Sequence, residues 1–138
     1  MLNDHVQIIN CYTDASYAKE VGGSVIGYKI GEHPIFTDFL VDVKNTEAEM
    51  SAVKLCIDLA SELYPDAEIH IHTDCQKAVN SADDYPSYVV IHKMRGHIKR
   101  NLRDDKQQIF SEVDRYVRKQ LRLRLKIIRN ENLEYCPN

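Results

Sequence analysis

The sequence predicts an α/β protein with a five-stranded mixed sheet and helices on both faces of that sheet. Three observations support this prediction. The chain opens with three segments rich in β-forming residues, the apolar spacing then changes to that of an amphipathic helix, and the later strand-like segments are separated by helical ones. Helices inserted between strands are typical of a mixed sheet with helical layers.

The first three elements are predicted strands. Val6–Thr13 is rich in β-formers and ends before Asp14-Ala15-Ser16, which has the composition of a turn. Ser24–Ile30 and Ile35–Val41 flank Gly31-Glu32-His33-Pro34, which has the composition of a hairpin loop. We therefore expect three consecutive strands with antiparallel pairing.

The middle of the chain is predicted to form a helix, a fourth strand and a short second helix. Apolar residues recur at three-and-four spacing over Met50–Leu63, and Tyr64-Pro65-Asp66 ends this helix. Glu68–Thr73 alternates apolar and polar residues, as a strand with one buried face does. Asp74 begins the turn into the short helix, which Asp83-Asp84-Tyr85-Pro86 ends.

The last third of the chain is predicted to hold two helices and the fifth strand. Helical segments are expected at Ser87–Leu102 and Lys106–Leu121. Four apolar residues then alternate with three cations, which predicts the fifth strand at Leu121–Ile127. Asn130–Asn138 has the composition of a polar tail. Because no repeat or linker divides the chain, we expect one domain over residues 1–138.

Composition is that of an ordinary globular protein. The chain is 43% hydrophobic and 28% charged, which does not indicate disorder, and its net charge of −3 disfavours a protein that coats nucleic acid by bulk charge. We recognise neither a secretory signal nor a membrane span, and we therefore expect a cytoplasmic protein without a membrane partner. The cysteines show no metal or redox spacing and are expected to be reduced thiols: Cys11, Cys56, Cys75 and Cys136.

Three acids are candidate ligands for a divalent metal. Asp14 and Asp74 each follow a predicted strand, and the carboxyl ends of neighbouring strands line one crevice of an open α/β sheet. Glu49 falls on the core-facing side of the first helix, where an acid needs a reason. Three carboxylates that meet at one point would hold Mg²⁺ or Mn²⁺, which prefer oxygen ligands.

Each acid also has a structural interpretation. Asp14 fits a residue that stabilises a turn, and Asp74 fits the N-cap of the short helix that follows it. Glu49 fits a capping box with Thr46. From the residues alone, both interpretations stay open for all three acids.

Along nearly its whole length the chain resembles the type 1 ribonuclease H family. Tyr12-Thr13-Asp14-Ala15-Ser16 resembles the first-strand motif of that family, Asn45-Thr46-Glu47-Ala48-Glu49 the start of its first helix, and His72-Thr73-Asp74-Cys75-Gln76 its fourth-strand motif. The resemblance implies the ribonuclease H-like fold and hydrolysis of the RNA strand of RNA–DNA hybrids. It also implies Mg²⁺ or Mn²⁺ as cofactor and the three acids as its catalytic ligands.

The resemblance further implies residues that bind the hybrid. Ser16, Asn45 and Gln76 match positions that contact the minor groove, where 2′-hydroxyls distinguish RNA from DNA. The basic run over residues 93–103 resembles the basic protrusion of the family, which binds phosphates of the DNA strand, and its alternative is a solvated helix face. Its candidate phosphate-binding residues are Lys93, Arg95, Lys99 and Arg100.

The carboxyl end departs from the family pattern. In the family, the last strand is followed by a loop and by a helix that bears a fourth aspartate. With the fifth strand at Leu121–Ile127, that helix and its ligand are missing, and Glu131 or Glu134 is the available substitute acid. Asp114 precedes the predicted strand and is a poor substitute. We therefore expect an activity that is low, favours Mn²⁺ or is absent, unless a partner or a longer chain completes the site.

The first functional hypothesis is a metal-dependent endonuclease that acts on RNA–DNA hybrids. The alternatives of the same fold are a catalytically weak or silent hybrid-binding module and a different nuclease, such as a transposase or junction resolvase. A signalling receiver domain also clusters acids at strand ends, but its strands and helices should alternate from the start. The three opening strands disfavour it.

Overall fold

A five-stranded sheet forms the centre of the molecule. The computed structural model describes residues 6–96 and 98–134, with the backbone alone for residues 132–134. The strand order across the sheet is β3-β2-β1-β4-β5, with antiparallel pairing on the β3 side of β1 and parallel pairing on the β5 side. The strands are β1 (Ile8–Ala18), β2 (Gly23–Ile30), β3 (Phe36–Val41), β4 (Glu68–Thr73) and β5 (Val89–Lys93). The predicted mixed sheet is confirmed.

Helices lie on both faces of this sheet, as predicted. The long helices α1 (Asn45–Leu63) and α3 (Asp105–Glu134) pack on opposite faces of β1 and β2, and the short helix α2 (Gln76–Asn80) follows β4. Single 3₁₀ turns occur at Lys19–Val21, Ala82–Asp84 and Arg100–Leu102. Among the residues that the structure describes, no helix combines the length and the apolarity needed to cross a membrane.

The side chains of β1 alternate between two cores because successive residues of a strand face opposite sides of the sheet. Ile9 and Cys11 pack in the core under α1, whereas Tyr12 packs with Val113 and Val117 of α3. Cys11, Cys56 and Cys75 are buried and not disulfide-bonded within the described residues, and Cys136 lies outside them. Asp14 lies two residues after Tyr12 and therefore faces the same side of the sheet, which α3 covers.

Helix α3 packs tightly against β2 at Gly27. A Cβ atom at this position would overlap Cγ2 of Val117, so the close packing of helix on strand requires glycine here. Gly27 is also the β2 partner of Asp14 in the antiparallel ladder. Helix α3 therefore passes directly over the part of β1 that carries Asp14.

Strand β1 continues beyond its predicted end. Residues 14–16 are not a turn but part of the strand, which runs to Ala18 and pairs with β2 throughout. The parallel pairing of β1 with β4 stops earlier, at Tyr12 and His72. Asp14 thus lies inside β1 but just past the end of β4, and its interpretation as a turn residue is wrong.

The fifth strand is β5, and its predicted position at Leu121–Ile127 is wrong. The helix predicted at Ser87–Leu102 is wrong as well. Pro86 and the β-branched run Val89-Val90-Ile91 favour an extended chain, which pairs in parallel with β4.

The leucine–arginine alternation is instead the second half of α3. The helix predicted at Lys106–Leu121 exists but continues to Glu134, because Leu121, Leu125 and Ile128 extend the three-and-four spacing of its core residues. Residues 130–134, predicted as part of a polar tail, are helical, and residues 135–138 lie outside the described range.

Candidate metal centre

Asp14, Glu49 and Asp74 meet at one edge of the sheet. Asp14 comes from β1, Asp74 follows β4 directly, and Glu49 comes from the second turn of α1. One carboxylate oxygen of each residue lies within 4.8 Å of those of the other two. Oxygens this close together suit a shared divalent cation, so the structure brings the three predicted acids into one candidate centre.

Helix capping does not account for these acids. Helix α1 begins at Asn45 with Lys44 as its N-cap, and no side chain caps it, so the capping box between Thr46 and Glu49 is not formed. The N-cap of α2 is Cys75 rather than Asp74. Both structural interpretations are therefore wrong, and the positions of the two acids call for another cause.

Asp14 is the most buried of the three acids. Its exposed fraction is 6%. Burial, a hydrogen bond with the Asp114 carboxyl and the negative charges of Asp74 and Asp114 together raise the pKa of Asp14 to about 9. A buried carboxyl among like charges is a group that a bound cation would stabilise.

Glu49 experiences the same field more weakly. Burial and the charge of Asp74 raise the pKa of Glu49, whereas a hydrogen bond with Cys75 and the positive charge of Lys93 lower it. Lys93 is held in place because its ammonium donates a hydrogen bond of 2.6 Å to the Asp74 carbonyl. The predicted substrate residue Lys93 is thus fixed at the edge of the carboxylate cluster.

Asp114 is a fourth acid of this site, and the prediction that it is a poor substitute for the fourth ligand is wrong. Its carboxyl contacts Asp14, and both residues line the same polar cavity of about 200 Å³. That prediction assumed that Asp114 precedes the fifth strand, because it put this strand at Leu121–Ile127. With β5 at Val89–Lys93, Asp114 lies in the helix after the last strand, which is where the family resemblance expects the fourth aspartate.

The predicted substitute acids do not reach this site in the described structure. Glu131 is exposed near the far end of α3, about 25 Å along the helix from Asp114. The side chain of Glu134 lies outside the described residues. Asp114 could have been found by the signal that singled out Glu49, since it is an acid beside the core positions Val113 and Val117 of one amphipathic helix.

The predicted minor-groove residues lie around the cluster. Ser16 and Asn45 line a small cavity of about 130 Å³ together with Glu49. Asn45 has a left-handed backbone with φ of 40°, an uncommon conformation that asparagine tolerates better than most residues. Gln76 is exposed in the first turn of α2, where its amide donates a hydrogen bond of 2.8 Å to Asn80.

The basic run is not a helical protrusion. It begins in β5, continues as a loop and includes one 3₁₀ turn, and His97 within it lies outside the described residues. Arg95 lines the carboxylate cavity, whereas Lys99 and Arg100 are exposed and do not line it. Two further arginines that the sequence did not predict also line it, namely Arg103 and Arg118.

A hydrogen-bonded set of histidines lies beside the site on β4 and β5. His70 bonds His92 at 2.7 Å through Nδ1 and Glu68 at 2.7 Å through Nε2, and the rings of His72 and His92 stack with centroids 4.7 Å apart. His72 also bonds Asn10 at 2.9 Å. These contacts use both ring nitrogens of His70 and the Nε2 atoms of His72 and His92, so we do not assign the histidines as metal ligands.

Comparisons with known proteins relate this fold to ribonucleases H. No protein-family model and no curated protein matches the chain. The structure of LC11-RNase H1, isolated from compost by a metagenomic approach, matches with a TM-score of 0.57 and 17% identity over 84% of this chain and 99% of that one. The same enzyme in complex with an RNA/DNA hybrid matches with a TM-score of 0.54 and 17% identity, covering 82% and 99% of the two chains.

A third structure comes from an archaeon. RNase H1 from halophilic Halobacterium salinarum NRC-1 matches with a TM-score of 0.53 and 13% identity, over 64% of this chain and 86% of that one. At such identities the likeness shows the fold alone. The chain has the ribonuclease H-like fold, as its sequence predicted.

Proposed function

We propose that this protein is a metal-dependent endonuclease that hydrolyses the RNA strand of RNA–DNA hybrids. The observation that best supports this proposal is the meeting of Asp14, Glu49 and Asp74 with Asp114 in one polar cavity of a ribonuclease H-like fold. The hybrid as substrate follows from the family resemblance, and LC11-RNase H1, a structural neighbour, was solved in complex with an RNA/DNA hybrid.

The donor atoms of this cavity suit Mg²⁺ or Mn²⁺. All four acids offer hard carboxylate oxygens, which these ions prefer to softer ligands. Burial raises the pKa of the neighbouring Cys75, so this thiol stays protonated and does not compete as a soft ligand. Bound there, divalent ions would activate a water molecule and stabilise the leaving oxygen of a phosphodiester.

Other roles in the site fall to individual residues of the chain, which would bind the metal, balance its acidic ligands and hold the phosphate. Asp14 would be the central metal ligand, because its carboxyl contacts that of Asp114 and lies close to the negative charge of Asp74. Arg118 pairs with Asp114 at 3.3 Å and offsets part of the negative charge of the cavity. Arg95 and Arg103 line the cavity as cations suited to hold the scissile phosphate.

Residues outside the acid cluster would select the substrate. Ser16 and Asn45 offer a hydroxyl and an amide in the small cavity next to Glu49, where they would contact the minor groove with its 2′-hydroxyls. Gln76 would extend this contact from α2, and Lys93 would approach a phosphate from β5. Lys99 and Arg100 would bind phosphates farther from the acids.

The presence of Asp114 favours the enzyme over a catalytically silent hybrid-binding module. The expectation of weak or absent activity rested on a missing fourth acid, and Asp114 supplies a carboxyl in contact with Asp14. We therefore expect cleavage without help from a partner. A nuclease of the same fold that prefers duplex DNA would differ from the proposed enzyme only in its substrate, so the preference for hybrid over duplex decides between the two.

Cleavage of a labelled RNA–DNA hybrid in Mg²⁺ and in Mn²⁺ tests the proposal. Asp14→Asn and Asp114→Asn should each lower the cleavage rate at least about a hundredfold while the circular dichroism spectrum stays that of the folded protein. Asp58→Asn removes one exposed acid from α1 and serves as the matched control, with an expected rate near that of the wild type.

Three outcomes would overturn the proposal in different ways. Hybrid that is bound but left intact in both metals would favour the silent module. Cleavage of duplex DNA as fast as that of the hybrid would favour another nuclease of this fold. Equal cleavage by Asp14→Asn and the wild type would remove the carboxylate cavity from the mechanism.

A further inference from the structure

The second half of α3 concentrates positive charge. The chain carries a net charge of −3, yet residues 115–129 contain seven of its 18 lysines and arginines and no acid. Four of these cations recur at i, i+4, i+7 and i+11, which places them within an arc of about 60° on the helix surface. They are Arg115, Lys119, Arg122 and Lys126.

These four cations, the cationic track, are free to meet a ligand. All four are exposed, and none forms an ion pair within the described part of the chain. The other cations of the segment are engaged, since Arg124 lies 4.0 Å above the Phe39 ring and Arg129 pairs with Glu20 at 2.8 Å. The track is about 17 Å long, which corresponds to about five base pairs of a duplex.

The cationic track continues from the carboxylate cavity. Arg118 lines that cavity and pairs with Asp114 at 3.3 Å, and it lies about 40° from Arg122 around the helix. Beyond it, Arg115, Lys119 and Arg122 line a shallow groove with the exposed ring of Tyr116. Glu112 is the acid of this groove, and it lies at the end where the track begins.

We propose that the cationic track binds the phosphate backbone of the nucleic acid whose scissile phosphate lies at the carboxylate cavity. The inference rests on the proposed function and extends it by naming a surface for the flanking part of the substrate. A row of exposed cations without intervening acids attracts a phosphate backbone, and Arg118 connects this row to the carboxylate cavity.

An anionic membrane is the other polyanion that a basic amphipathic helix could meet. Leu123 and Ile127 are 44% and 56% exposed and lie beside the cationic track, as they would in a helix at a lipid surface. Nucleic acid is favoured because Arg118 connects the track to a cavity lined by four acids, and binding to a lipid surface does not account for such a cavity. The experiment therefore includes vesicles as a separate arm.

The test compares two variants that lose the same charge. Arg122→Gln with Lys126→Gln removes half of the track, and Lys29→Gln with Lys54→Gln removes two cations from β2 and α1 that line neither the carboxylate cavity nor the groove. Binding of a labelled hybrid is measured by fluorescence anisotropy in chelator, between about 50 and 200 mM salt. Chelator prevents cleavage, so binding is measured on its own.

The track variant should bind the hybrid at least about tenfold more weakly at the lower salt concentration, and the slope of log K against log salt should fall by about 2. The control variant should keep the wild-type slope. Equal slopes for the two variants would overturn the track. Binding to phosphatidylserine-containing vesicles that is lost only in the track variant, with hybrid binding unchanged, would overturn it in favour of a membrane.

The track and the proposed function can fail independently. A wild type that cuts the hybrid while the track variant binds as the control does would reject the track and leave the nuclease. A wild type that cuts nothing, but whose salt-dependent binding is lost in the track variant and kept in the control, would reject the nuclease and leave the track.

Discussion

At the scale of single residues, the main feature is a set of acids that are closer together than their charges favour. Asp14 is 6% exposed, and its carboxyl lies within reach of those of Glu49, Asp74 and Asp114. Like charges in a poorly solvated place destabilise the folded state unless a cation or a proton offsets them. On the proposed function, the arrangement of acids that would bind a metal therefore lowers the stability of the folded protein while no metal is bound.

A variant without the ionisable carboxyl of Asp14 should be more stable without metal than the wild type, because asparagine is neutral there without taking up a proton. In chelator, Asp14→Asn should raise the free energy of unfolding by about 1 kcal/mol or more, seen as an increase in Tm of roughly 3 °C. Addition of Mg²⁺ should then raise the Tm of the wild type more than that of the variant. Thermal unfolding followed by circular dichroism measures both effects.

Asp58→Asn is the control for that experiment, because it removes an exposed acid of α1 and should leave Tm nearly unchanged in both conditions. A drop in the Tm of Asp14→Asn in chelator would contradict the expectation. It would mean that the carboxyl makes a stabilising contact that outweighs the repulsion.

Three acids of the site were predictable because each lies in a recognisable local motif. Asp14, Glu49 and Asp74 stand next to recognisable strands and a helix start, and the fold brings them together. Asp114 has no such motif, and its role depends on which strand precedes its helix. Arg103 and Arg118 reach the cavity through the path of the loop after β5 and the rotation of α3, which local sequence does not specify.

At the scale of elements, the position of α3 decides the geometry of the site. The helix lies against β2 at Gly27, directly beside Asp14, and this contact fixes the distance between Asp114 and the strand. Because interiors are close-packed, an added methyl group here cannot be absorbed without movement of the helix or the strand.

Gly27→Ala should therefore destabilise the protein by about 1–3 kcal/mol, because the new methyl group overlaps Val117. Urea unfolding measures the loss. The double variant Gly27→Ala with Val117→Ala should recover part of it relative to the sum of the single changes, since the second change makes room for the first.

Additive losses in this double variant would show that the strain at Gly27 comes from elsewhere in β2. We also expect Gly27→Ala to lower hybrid cleavage more than it lowers the folded fraction, because displacement of α3 moves Asp114. A cleavage rate that simply follows the folded fraction would contradict this coupling.

The elements themselves were predictable to different degrees. β2, β3, α1 and β4 match their predicted positions closely because each has a clear apolar period and a turn on either side. The second half of α3 was predicted as a strand because alternating leucine and arginine residues are typical of one. In the sheet, however, the strand that pairs with β4 at this edge is β5. Local alternation cannot report that, since strand pairing is a property of the assembled sheet.

At the scale of the whole molecule, the face of β4 and β5 beside α3 carries a set of polar rings instead of an apolar core. Burial lowers the pKa of His92, and the neighbouring His70 and Lys106 lower it further. His72 stacks on the same ring, and Glu68 bonds His70 on its far side. The folded protein therefore prefers the neutral form of His92.

Because of this preference, the contribution of His92 to the stability of the protein depends on pH. The unfolded chain takes up a proton on His92 near pH 6.5, whereas the folded protein takes it up only at lower pH. At His92 the unfolded state then binds more protons, so this residue should lower the free energy of unfolding as pH drops from about 7.5 to 5.5. Asp14, whose pKa is raised, should raise the free energy of unfolding over the same range. Urea unfolding of the wild type and of a His92 variant at the two pH values separates the two effects.

His92→Gln should gain stability relative to the wild type as pH drops between these values. His33→Gln changes a histidine that bonds Tyr64 away from this set and should keep the wild-type dependence. A His92→Gln variant with the full wild-type dependence would assign the effect to other groups.

The distance along the chain between Asp14 and Asp114 has a consequence for biosynthesis. Ribosomes make proteins from the amino end, so Asp14, Glu49 and Asp74 leave the ribosome well before the helix that carries the fourth acid. Contacts between residues so far apart in sequence form late, because a long loop must close first. On the proposed function, a nascent chain would hold an incomplete set of acids until α3 docks, and the capacity to cut nucleic acid would arise only as folding ends.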